Sequence, residues 1–139
     1  TMALNGLIGS GVPQDWTTHM IGHELTGSYN IDHARTLSIL LPSVLRNRRV
    51  AKREKLLQYA ERVWHLFEGD DESRIDQAIE NTVQFFKTMQ VPTSLTEVDL
   101  DAGHIDDILA KLKQHGMVAL GEKRDVTLDV SREILEAAL

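Results

Sequence analysis

Residues 15–34 read DWTTHMIGHELTGSYNIDHA and hold three of the chain's six histidines: His19, His23 and His33. Side chains four apart on a helix share one face, so Asp15, His19 and His23 line up as a polar stripe flanked by Trp16, Met20 and Ile21. The spacing predicts a first helix from near Pro13, a residue tolerated in an opening turn, to about Ser28. A turn containing Gly27 lets the chain double back, and Asp32 is a good N-cap for a second helix. That helix presents Leu37, Leu40, Leu41, Val44 and Leu45 on one face. Pro42 falls inside it, where its ring opposes the preceding turn, so a kink is expected. A helix, a turn and a returning helix bring His33 against the face that carries His19.

The helical period recurs along the rest of the chain, and runs of alternating β-branched residues are nearly absent. Leu56, Ala60, Val63, Trp64 and Phe67 form the stripe of a third helix, with Trp64 and Phe67 expected in the core. Asp70 or Asp71 caps a fourth with Ile75, Ile79, Val83 and Phe86, which Pro92 prevents from continuing. Ser94 to Glu97 has capping-box spacing and opens a short turn. Ile105, Ile108, Leu109 and Leu112 lead to Gly116, a candidate left-handed C-terminal glycine. A last helix, from about Asp129, places Ile134, Leu135 and Ala138 together. The architecture expected is all-α, a multi-helix bundle with short loops.

At 139 residues the chain is one domain in size and long enough for a hydrophobic core. A net charge of -6 disfavours a nucleic acid as main partner. No apolar run approaches the ~20 residues that cross a bilayer. With no cysteine, disulfides, thiolate metal sites and cysteine nucleophiles are excluded, and a cytoplasmic setting is expected. The opening TMALNGLIGSG lacks a basic leader. Met2, Leu4, Leu7 and Ile8 enter as an uncapped apolar helix, which predicts a chain that continues upstream and, cut from its neighbours, self-associates as a homo-oligomer such as a dimer. GLIGSG, residues 6–11, follows that helical segment rather than a strand, so it reads as a turn between helices, not a phosphate cradle. RNRRVAKREK, residues 46–55, is balanced by acidic residues 68–76 and reads as a solvated helix junction.

Neutral imidazole is the commonest nitrogen ligand for first-row divalent metals. His19 and His23 have the spacing of the H-E-x-x-H zinc motif, but Met20 stands where its catalytic glutamate belongs, so a zinc protease is disfavoured. Local spacing alone selects Asp15, His19 and His23 as ligands of a self-contained metallohydrolase. A second alternative is a helical interaction module with incidental histidines and a continuous apolar groove. His65, His104 and His115 lie apart from the cluster and are expected on surfaces.

The segment resembles the histidine signature of the iron-containing (group III) alcohol dehydrogenases, H-x-x-x-H-x-x-x-G-x-x-x-x-x-H, in its NADPH-dependent aldehyde reductase and butanol dehydrogenase branch. TMALNGLIGSGVPQDWTTHMIGHELT, KLLQYAERVW and VTLDVSREILEAAL carry the likeness, which spans nearly the whole chain. The resemblance implies a C-terminal, all-helical metal-binding domain of a two-domain enzyme whose N-terminal nucleotide-binding domain is absent from residues 1–139. It implies one divalent metal, Fe2+ or Zn2+, held by an aspartate and three histidines. Two of those histidines fall on His19 and His33, and the other two ligands belong upstream. His23 matches a histidine that passes a proton near the nicotinamide. Asp32-His33-Ala34 departs from the Pro-His-Gly of many members.

What the resemblance implies for the whole enzyme is hydride transfer between NADPH and a small or medium aldehyde, with the metal as Lewis acid. Two histidines are too few for a tight site, so the chain alone is expected to bind metal weakly, to be empty as isolated, and to turn over no aldehyde.

Overall fold

The computed structural model describes Gly6, Leu7 and residues 9–139. Met2, Leu4 and Ile8 of the expected opening helix lie outside the described residues. Helix α1 spans Thr17–Tyr29, α2 His33–Asn47, α3 Arg53–Trp64, α4 Asp71–Thr88, α5 Ile105–Gln114 and α6 Leu128–Glu136. Two single 3-10 turns, Thr96–Val98 and Ala102–His104, lie between α4 and α5. Between α5 and α6, β1 (Ala119–Leu120) and β2 (Val126–Thr127) pair antiparallel, with Ala119 opposite Thr127 and Leu120 opposite Val126. The all-α expectation holds apart from this hairpin, too short to show a period in sequence.

Local chemistry sets the helix ends. Helix α1 begins at Thr17, not near Pro13, because Asp15 Oδ1 accepts the Thr17 N–H at 2.8 Å and organises the chain just before it. Gly27 lies within α1 rather than in the turn. The helix ends instead at Asn30, whose φ of +54° is left-handed and whose N–H bonds the Thr26 carbonyl. Asparagine tolerates that conformation because its short polar side chain can hydrogen-bond locally. Helix α2 starts directly after Asp32, which accepts through its backbone carbonyl rather than its carboxylate. It runs unbroken through the buried Pro42.

Asp70 caps α4 by accepting from the Ser73 N–H at 3.0 Å. Gly116 closes α5 at a φ of +74°. The capping box expected at Ser94–Glu97 does not form: Leu95 holds that N-cap position with no side-chain bond. A capping box occurs instead at Asp101 and His104.

The main core joins Ile21 and Leu25 of α1, Ile39, Leu40 and Val44 of α2, Ile108 and Leu112 of α5, and Ile134 and Leu135 of α6. A second cluster, Leu56, Ile75 and Ile79, seals α3 against α4. Phe67 is 63% exposed, so the core position expected of it is corrected: α3 ends at Trp64, and His65 turns left-handed before Phe67 can join the stripe. Trp64 is half-buried, edge-on to Tyr59.

Candidate metal centre

The turn between α1 and α2 is three residues long, residues 30–32, and α2 returns against α1 so that the N-terminal turns of the two helices meet. Their approach is close. Gly22 is buried on α1 between His19 and His23, and a Cβ there would lie 2.8 Å from Thr36 Oγ1 and 3.3 Å from Thr36 Cβ. Thr36 sits one turn past His33 on α2, fully buried, with its hydroxyl donating to the His33 carbonyl at 2.8 Å. Glycine at position 22 and the hydroxyl at 36 thus fix how near the two histidine-bearing turns can come. Neither residue was singled out from the sequence. Gly22 sits inside a helical pattern, where a glycine is a sign of close packing.

The three imidazoles converge at the surface. Ring centroids are 5.3 Å apart for His19 and His33, 5.2 Å for His23 and His33, and 6.4 Å for His19 and His23. Imidazole nitrogens sit ~2.0–2.1 Å from a tetrahedral Zn2+, so two rings sharing one ion have centroids roughly 5 Å apart. Both pairs containing His33 match that spacing. The His19–His23 pair, which helical spacing alone would choose, is too wide. His19 is partly buried, whereas His23 and His33 are exposed.

Burial, followed by the neighbouring charges of His33 and His23, holds the His19 imidazole below its ordinary pKa. The cluster therefore favours the neutral ring, the form that ligates a metal. Trp16 packs edge-on against His19 with centroids 5.1 Å apart, and its indole N–H donates to Gln14 Oε1 at 3.1 Å.

Asp15 is not aimed at the cluster. Its Oδ2 lies 2.8 Å from Lys52 Nζ, and its Oδ1 accepts from Thr17. Burial alone would raise its carboxyl pKa, but the hydrogen bonds from Lys52 and Thr17 outweigh that and hold it low. The ligand set Asp15, His19 and His23 is therefore corrected, since its carboxylate is already committed and its two histidines are too far apart. Among the described residues, no three His, Asp or Glu side chains are arranged to hold a metal ion by themselves. The donor chemistry fits part of a cation site, two imidazoles at single-ion spacing, with further donors required.

The remaining histidines play other parts. His65 is exposed beside Phe67, and His104 bonds Asp101. His115, expected simply on a surface, is half-exposed but bonds the buried Glu24 at 2.8 Å, tying the end of α5 to α1. An apolar depression lined by Leu41, Tyr59, Val63, Trp64, Phe85 and Phe86 runs over α3 and α4. The histidines nonetheless converge instead of scattering, which is the opposite of what an interaction module with incidental histidines requires.

A helical domain that brings paired imidazoles to a surface is the class of structure these elements define. Solved structures share the fold. A crystal structure of Escherichia coli K-12 YqhD matches with a TM-score of 0.96 and 58% identity over 100% of this chain and 36% of that one. NADH-dependent butanol dehydrogenase A from Thermotoga maritima matches with a TM-score of 0.88 and 27% identity over 99% of this chain and 36% of that one. In sequence, the NADPH-dependent aldehyde reductase YqhD of E. coli K12 is 59% identical over 138 residues, covering 99% of this chain and 36% of the relative. A probable NADH-dependent butanol dehydrogenase of Bacillus subtilis is 30% identical over 141 residues, covering 100% of this chain and 36% of the relative. The model of the Fe-containing alcohol dehydrogenase family, C-terminal, matches residues 2–139, and the chain belongs to that family. It spans 36% of the length of these relatives.

Proposed function

We propose that this chain is the metal-binding half of an NADPH-dependent alcohol dehydrogenase or aldehyde reductase acting on small and medium aldehydes. The observation that carries the reading is the 5.3 Å spacing of His19 and His33, two imidazoles from different helices, in a chain of this family. The higher identity to a relative named as NADPH-dependent than to relatives named as NADH-dependent supports the choice of cofactor.

In this reading His19 and His33 supply two nitrogens of a four-donor site, and an aspartate and a histidine outside the chain supply the rest. A divalent cation, Fe2+ or Zn2+, held there would stabilise negative charge developing on a carbonyl oxygen. Burial of His19, with the charges of His33 and His23, lowers its affinity for a proton and so favours the ring form that ligates a cation. His23 stands 5.2 Å from His33 and is exposed. From there its imidazole can pass a proton to the nascent alcohol oxygen and regain one from solvent. Trp16 packs edge-on against one side of His19.

The test is aldehyde-dependent NADPH oxidation by the full polypeptide that carries this chain, reconstituted with Fe2+ or Zn2+. Loss of bound metal in His19→Ala and His33→Ala is expected, together with slowed turnover but retained metal in His23→Ala. Metal retained at full occupancy in both of the first two variants would sink the reading.

A further inference from the structure

The basic junction between α2 and α3 is wired rather than merely solvated. Arg49 and Arg53 pair with Glu72, and Arg48 pairs with Asp125. Lys52 differs from these because it reaches the histidine helix. Its ammonium lies 2.8 Å from Asp15 Oδ2, and 3.0 and 2.9 Å from the two oxygens of Glu122. Three acceptors match the three N–H donors of an ammonium. All three side chains are largely withdrawn from water, with 18% of Lys52, 17% of Asp15 and 29% of Glu122 exposed. One residue thereby joins three separate segments: the approach to α1, the start of α3 and the β-hairpin turn.

What the lysine holds is the first turn of α1. That helix has no side-chain bond from its N-cap, Trp16. Asp15 Oδ1 instead accepts from the Thr17 N–H, so the carboxylate that starts the helix is the one whose other oxygen is clamped. Thr17 is fully buried against the hairpin turn at Gly121, which Glu122 ties to the same lysine. His19 belongs to that first turn. His33 does not, since its place is set by the packing of Gly22 against Thr36.

We propose that Lys52, acting through Asp15, is a positioning residue that sets His19 at single-ion distance from His33. The proposal rests on the reading of His19 and His33 as metal ligands. Two donors bind one cation together only while their spacing is held, because the second nitrogen acts at a high effective concentration set by geometry. Without the ammonium, Asp15 and Glu122 would face each other uncompensated and push the start of α1 off its register. The change should fall on His19 and spare His33.

The test is a Zn2+ titration of this chain followed through the imidazole NMR shifts of His19 and His33. Lys52→Met is expected to weaken Zn2+ binding by about fivefold or more, with the response of His19 lost first. Lys52→Arg should restore it to within about twofold, since a guanidinium can also bridge two carboxylates. Asp15→Ala leaves Lys52 paired with Glu122, and should weaken Zn2+ binding as Lys52→Met does even where the latter fails to fold. Arg48→Met breaks the adjacent pair on the same hairpin turn without touching α1, and should leave Zn2+ binding unchanged. Equal weakening in Arg48→Met, or none in Lys52→Met and Asp15→Ala, overturns the proposal. If His19→Ala also leaves Zn2+ binding unchanged, the metal reading itself falls; if His19→Ala weakens it while the Lys52 and Asp15 variants do not, only the positioning role falls.

Discussion

His19 stands in the first turn of α1 and His33 is the first residue of α2, and their ring centroids lie 5.3 Å apart across the chain reversal. A pair of imidazoles at that distance should bind Zn2+ weakly and jointly. Removal of either ring by alanine is expected to lower the affinity of the chain by about tenfold or more, since a chelate becomes a single ligand. His23→Ala should cost far less, since the proposed ligand pair His19 and His33, 5.3 Å apart, stays intact. Isothermal titration of the three variants measures the difference, and an equal loss in all three would contradict it.

Gly22 governs that spacing from within the α1–α2 contact, one turn along from His19. A methyl group there would press on Thr36 Oγ1 at 2.8 Å, and that threonine is fully buried. Gly22→Ala is therefore expected to destabilise the fold by about 1–3 kcal/mol, in the range of overpacked cores. It should also weaken Zn2+ binding, because α2 and His33 move with Thr36. Adding Thr36→Ala removes the nearest atom and should recover part of both losses. A thermal melt and a Zn2+ titration of the single and double variants check the coupling; strict additivity would argue against a shared clash.

Much of this arrangement can be read from sequence because it rests on local periodicity. The stripes through Ile75 and Ile79, through Ile105, Ile108 and Leu112, and through Ile134 and Leu135 mark helices whose buried faces are the expected ones. Asp70 and Gly116 also act as the helix boundary signals they resemble. What local pattern could not supply was the partner across space. Asp15 looks like a ligand because it is four residues from His19, until Lys52, far along the chain, is seen to hold it. The close contact at Gly22 depends on Thr36 in the next helix, and the pairing of Glu24 with His115 joins residues 91 apart. Phe67 keeps helical spacing yet lies outside, because the left-handed turn at His65 depends on a backbone choice the stripe does not encode.

The pH response of His19 follows from its surroundings. Burial, then the charges of His33 and His23, place its folded pKa below the unfolded value. The folded state thus takes up its proton less readily. The associated stability is present above the unfolded value and declines as pH falls through it. By NMR, His19 should titrate below the ordinary imidazole value of 6.5. Replacing His33 with Gln should move it part of the way back, since burial would remain while one charge is lost. An unmoved His19 titration in His33→Gln would show that the neighbouring ring plays no electrostatic part.

Asp15 should leave its mark at a lower pH. Its folded pKa lies below the ordinary 3.8 because the hydrogen bonds from Lys52 and Thr17 outweigh burial. Such a carboxylate contributes stability that is present above the unfolded value and lost as pH falls through the folded one. Asp15→Asn keeps an oxygen for the Thr17 N–H but surrenders the charge facing Lys52, so stability near neutrality should fall. The acid limb of the stability profile, over the window below pH 3.8, should flatten at the same time. Urea unfolding at a series of pH values separates the two contributions. A variant with lower stability but an unchanged acid limb would mean that Asp15 acts only as a hydrogen-bond acceptor at the start of α1.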